Sequence, residues 1–179
     1  MRGRGFTLVE VVMVLVIVGI LVVFIAPIIV TAVNAYDQTS RNTEVLTKMR
    51  YAMERMAREI RSIRRDPVNS ADYDVVTGSM TASLFEFCRG DGTRVTINYT
   101  NPNVAIGYTT GFASSCTASA ATTQNLTDSA TSFSLTYLRT DGGAAAGKND
   151  VAYVDIAMAL TGTGTGAYNS AMRVDMRNP

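Results

Sequence analysis

Gly5-Phe6-Thr7-Leu8-Val9-Glu10 opens the stretch that decides the fold, and the run from Val11 to Val30 completes it without a single charge. Every residue of that run is apolar apart from Gly19 and Pro27. Twenty residues of α-helix rise ~30 Å, the thickness of a bilayer's hydrocarbon core. Upstream lies the short basic segment Met1-Arg2-Gly3-Arg4, and no matching positive cluster follows just after Val33. This charge asymmetry places the basic end in the cytoplasm and the rest of the chain beyond the membrane.

Three readings of the segment compete. A secretory signal would be removed after Ala35, where Val33-Asn34-Ala35 offers small residues, although the apolar region is longer than such signals need. An uncleaved anchor is the second. Neither accounts for Glu10. A carboxylate at the edge of an apolar run costs free energy unless it finds a partner, so it is a functional candidate. The plain alternative is a stray charge at the membrane interface, where that cost falls toward zero.

The third reading rests on a resemblance. A basic leader, Gly5 before Phe6, Glu10 four residues on and the apolar run together resemble the class III signal sequence of type IV pilins and type II secretion pseudopilins. The resemblance implies cleavage between Gly5 and Phe6 by a prepilin peptidase, N-methylation of Phe6, and a role for Glu10 in assembly. Many members of that family also have Pro at the position of Pro27, where the ring removes a backbone bond and a helix kink is expected. The implied partners are other pilin or pseudopilin subunits, the inner-membrane assembly platform and the lipid bilayer. The implied location is the bacterial inner membrane, with one pass and a periplasmic C-terminal domain, and then a pilus or pseudopilus.

Beyond Asp37 the sequence turns polar but keeps a helical period. Val45, Met49, Ala52, Met56, Ile60 and Ile63 recur at spacings of three and four, widened by Leu46, Met53 and Ala57. Glu44/Lys48 and Glu54/Arg58 stand four apart in the favourable order. Asp66-Pro67 ends the pattern, since a residue before proline is biased away from helix. One helix is therefore expected from near Phe6 to near Arg65, and its first half must sit in lipid or among copies of itself. Residues 41–65 hold eight basic side chains against three acidic ones, whereas residues 66–179 hold six against ten. A DNA-binding arm is the sharper reading of that excess. No interleaved aromatics support nucleic acid, and the blander reading is a solvated face meeting acidic surfaces of its own or a neighbouring subunit.

From Val68 the grammar is β. Ser83–Cys88 and Thr93–Tyr99 alternate around Gly90-Asp91-Gly92, which reads as a hairpin. Ser132–Arg139 and Asp150–Leu160 form a second pair, and Tyr168–Met176 a last strand. Asn101–Ala130 is rich in Thr, Ser, Ala and Gly and reads as a loose surface loop, with Thr161–Gly166 another connection. An antiparallel sheet needs a cover, and the Val45–Ile63 stripe supplies it. The expected fold class is α+β and pilin-like, a long N-terminal helix packed on a C-terminal antiparallel sheet. The expected parts are a leader (1–5), a membrane and polymerisation helix (6–33), an amphipathic helix half (34–66) and an extracytoplasmic β domain (67–179). Within the family, the phrases around Met53–Arg61 and Phe133–Leu138 resemble minor pilins of the mannose-sensitive haemagglutinin or W type, and J-type pseudopilins.

The chain has no His, which removes the commonest general base and metal ligand. Cys88 and Cys116 lie far from any CxxC spacing, and outside the cytoplasm a disulfide between them is the default. Asp72 with Asp74, or Asp141 with Asp150, present oxygen ligands for Ca²⁺, but the EF-hand pattern is absent and such turns are more often only turns. No catalytic residues, metal ligands or cofactor motif emerge. The expectation is a structural subunit rather than an enzyme: a minor pilin of a type IV pilus or a minor pseudopilin of type II secretion. The contrasting reading is a periplasmic binding or catalytic domain on a membrane tether.

Overall fold

The computed structural model of the chain describes residues 7–76, 78–109, 122–162 and 166–176. A single helix, α1, runs Leu8–Arg61, followed by seven strands: β1 (Leu84–Cys88), β2 (Arg94–Thr100), β3 (Asn103–Thr109), β4 (Thr122–Thr127), β5 (Ala130–Leu138), β6 (Tyr153–Thr161) and β7 (Ala167–Asp175). The chain divides into two compact units, Met1–Asn42 and Thr43–Pro179. The α+β class holds, with two antiparallel sheets, β1-β2-β3-β4 and β5-β6-β7, where one was expected.

In the first unit, none of the described residues of α1 is buried. Twenty large apolar side chains between Leu8 and Val33 are each at least 48% exposed. In the second unit, the same helix is amphipathic. Met49, Ala52, Met53, Met56, Ala57 and Ile60 are buried at helical spacing, as the periodicity predicted. Leu46 departs from the expected stripe and stays 46% exposed, because it lies at the edge of the packed face. The helix also stops earlier than Asp66-Pro67 suggested. Ser62 Oγ donates to the Glu59 carbonyl at 2.6 Å, and Ile63 pairs with Arg89 as an isolated antiparallel bridge. Sheet pairing therefore competes successfully for the last turn.

Both sheets and the second part of α1 share one core. Phe85 stacks against Tyr137 at 5.2 Å and Tyr99 against Phe133 at 5.6 Å, so aromatic pairs join the four-stranded sheet to the three-stranded one. The first hairpin forms as read, Leu84 opposite Asn98 and Cys88 opposite Arg94. Its turn uses Gly92 at φ 82°, a left-handed conformation that a side chain would strain. The second pair and the last strand also form, with Phe133 opposite Met158 and Ile156 opposite Met172.

Residues 101–109 and 122–130 correct the expectation of a loose loop, while 110–121 lie outside the described residues. β3 pairs with β2 along its whole length, and β4 pairs with β3 across a register shift at Val104/Ala105. Val104, Ile106 and Leu126 are buried there. Val104 and Ile106 in β3 and Leu126 in β4 supply apolar anchors in two strands otherwise rich in Thr, Asn and Gly.

Candidate membrane and assembly segment

Thr7 starts α1. Its carbonyl accepts from the backbone N–H groups of Glu10 at 3.1 Å and Val11 at 3.3 Å, and its Oγ1 lies 3.4 Å from the Glu10 nitrogen. Thr7-Leu8-Val9-Glu10 thus has the Thr-x-x-Glu spacing of a helix N-cap, a start signal the sequence reading passed over. Glu10 stands in the first turn, where the positive end of the helix dipole favours an anion. Its carboxylate meets no cation among the described residues. Gly5 and Phe6 lie outside the described residues.

The apolar segment that follows is long and apolar enough to cross a membrane, by length and composition. Pro27 lies inside α1, which continues on both sides of it. Proline brings no N–H, so the helix loses one backbone bond at this point. Thr31, four residues on, satisfies its own hydroxyl by donating to the Pro27 carbonyl at 2.8 Å. A polar side chain is thereby carried beside the apolar run without a vacant donor. Each large aliphatic side chain withdrawn from water is worth ~1.5–3 kcal/mol. Twenty of them make tens of kcal/mol, far more than the stability of a domain, so lipid or other chains must cover this segment.

The other residues singled out from the sequence are dispersed. Cys88 is fully buried at the end of β1, while Cys116 lies outside the described residues. The carboxylates weighed for Ca²⁺ have other occupations. Asp74 pairs with Arg64 at 2.7 Å, and Asp72 lies 3.8 Å from Lys148. Asp141 accepts from the Gly143 N–H at 2.9 Å, and Asp150 from the Ala146 and Gly147 N–H groups at 3.0 and 2.9 Å. Those last two bonds hold the Asp150 carboxyl below its ordinary range.

One buried polar cluster escaped the sequence reading. Glu59, on α1, is 5% exposed. Its carboxylate accepts a hydrogen bond from the Tyr108 hydroxyl at 3.0 Å and lies 3.4 Å from both Arg55 and Arg89. Arg55 in turn donates to the Tyr108 oxygen at 2.8 Å. Burial raises the Tyr108 hydroxyl above its usual value against the opposing pull of Arg55. The cluster ties α1 to the ends of β1 and β3. It uses Arg55 where the sequence offered Glu54/Arg58, and those two side chains form no ion pair.

A comparison with curated proteins finds no match. Residues 1–26 match the family described as the prokaryotic N-terminal methylation motif, and this match, joined to the exposed apolar helix, supports a type IV pilin-like or pseudopilin protein.

Proposed function

We propose that this chain is a structural minor pilin-like subunit of a type IV pilus. Prepilin peptidase cuts between Gly5 and Phe6, Phe6 is N-methylated, and the subunit waits in the inner membrane with residues 67–179 in the periplasm. It then enters a filament whose centre is a bundle of the segments 6–33, Pro27 bending each helix as it packs. The carrying observation is Glu10 at the head of an exposed apolar segment of α1, within a stretch that matches the methylation motif. Twenty exposed apolar side chains need either lipid or neighbours, and moving from one to the other costs little because both are apolar. The carboxylate supplies the bias.

In lipid, Glu10 needs a proton or a cation. Cleavage before Phe6 makes a cation, the new α-amino group, at nearly the same depth. A partly buried pair left with one member costs ~3–5 kcal/mol, enough to decide between docking and staying in the membrane. Glu10→Ala is therefore made, inserted and cleaved normally but enters filaments poorly, with Glu10→Asp intermediate. Shearing filaments from cells and comparing the subunit there with the subunit left in membranes measures this. Wild-type incorporation of Glu10→Ala would show that helix packing alone directs assembly. The family resemblance also fits a minor pseudopilin of type II secretion, in which sheared filaments would lack the chain and secretion would fail instead.

A further inference from the structure

Among the described residues, nine basic side chains sit within ion-pair distance of a carboxylate. Among the described residues, Arg50, Arg58 and Arg61 do not, and Arg65 is occupied by the Tyr73 ring at 4.1 Å. All three unpaired arginines lie on α1 and all are exposed. At 3.6 residues per turn, positions 50, 54, 58 and 61 fall within about 80° of one another, opposite the buried Met49–Met53–Met56–Ile60 face. Glu54, between Arg50 and Arg58, pairs with neither, so the guanidinium groups remain available. Arg58 and Arg61 stand three apart, a like-charge spacing that costs an isolated helix a few tenths of a kcal/mol. The helix dipole compensates in the last turn but does not reach Arg50.

We infer that this stripe is a docking surface for an acidic face of a different pilin-like subunit, not of a second copy. The distinction comes from the chain's own anions. Glu10 and Glu54 are the described carboxylates that meet neither a cation nor a hydrogen-bond donor, and Glu54 is inside the stripe itself. Residues 66–179 carry an acidic excess, but its described members already face a cation of this chain: Asp66 faces Lys148, Asp74 Arg64 and Glu86 Arg94, while the exposed Asp91, Asp128 and Asp141 face Arg89, Lys48 and Arg139. Two copies meeting stripe to stripe would set six arginines against two glutamates. A guanidinium fork matches a carboxylate bidentately, so a partner with acidic side chains at helical or strand spacing fits best. Three cations neutralise too few phosphates to hold nucleic acid at physiological salt. The inference rests on the assembly reading above.

The test replaces Tyr51, 56% exposed at the stripe's edge, with the photo-cross-linker p-benzoylphenylalanine in full-length protein in its own cells. A second strain carries the cross-linker at Val16 in the apolar segment. Adducts are identified by mass spectrometry. The expected result at residue 51 is one peptide of a different pilin-like subunit carrying two or more carboxylates. Its yield falls at least tenfold when Arg50, Arg58 and Arg61 are changed to Glu, and survives when all three are changed to Lys. The Lys variant separates charge from misfolding. Adducts at 51 with a second copy, lipid or nucleic acid, insensitivity to charge reversal, or no adduct at 51 while Val16 gives subunit adducts would each overturn the docking surface. No subunit adduct at Val16 would take down the assembly reading first, and the docking surface with it.

Discussion

The Tyr108 hydroxyl donates to the Glu59 carboxylate at 3.0 Å across 49 residues of sequence, joining the last turns of α1 to β3. Arg55 and Arg89 complete the charge balance at 3.4 Å each. Truncating one member of a buried pair leaves its partners uncompensated, at ~3–5 kcal/mol, and the part-exposed arginines keep the loss near the lower end. Glu59→Ala should therefore lower the stability of the full chain in detergent by ~3 kcal/mol, read from urea unfolding followed by tyrosine circular dichroism. A loss below ~1 kcal/mol would mean that the cluster is a solvated bystander.

Alkaline stability should depend on Tyr137. Its hydroxyl donates to the carbonyls of Thr81 at 3.0 Å and Leu84 at 3.3 Å, and burial pushes its ionisation far above the usual value of 10.0. A group whose folded value is raised contributes stability that is complete below its unfolded value and lost as pH climbs beyond it. Unfolding should therefore ease from pH ~10 upward, and Tyr137→Phe should flatten that limb. Asp66 gives the opposite slope. The hydrogen bond from Lys148 holds its carboxyl below the usual 3.8, so its contribution is present above that value and fades as pH falls below it. Identical alkaline profiles for wild type and Tyr137→Phe would contradict the assignment.

A bridge between Cys88 and Cys116 should close the first hairpin onto the segment that follows β3. Loops of this size gain ~3–4 kcal/mol from restricting the unfolded chain. Thiol titration of denatured protein from an oxidising compartment should find no free thiol, and two reactive thiols would refute the pairing. Cys88→Ser should then cost more than its burial alone, because it also frees the loop.

The legible parts of this fold were those with local causes. Twenty uncharged residues, a three-and-four spacing of methionines and a Gly-Asp-Gly turn each follow from neighbours in sequence. β4 is mostly Thr and Asn, and β3 interleaves Val104, Ile106 and Tyr108 with Asn, Ala and Gly, so neither strand stands out from its polar surroundings. Val104, Ile106 and Leu126 become inward-facing only once β2 and the core are in place. Glu59 looked like one more charge on a solvated helix, since its partners Arg89 and Tyr108 stand 30 and 49 residues away. The start of α1 is also legible, for Thr7 and Glu10 announce a capped helix by spacing alone.

Cleavage ahead of an assembling helix leaves a defined mature N-terminus, and its chemistry can be read directly. Protein purified from membranes and from sheared filaments, analysed intact and as N-terminal peptides by mass spectrometry, should begin at Phe6 and carry one added methyl group on its amine. Gly5→Val should abolish that species, because the cut needs a small residue, and leave the Arg2–Gly3–Arg4 leader attached. A wild-type chain that retains Met1, or that begins after Ala35, would rule out this cleavage and leave the helix as a tether or a discarded signal.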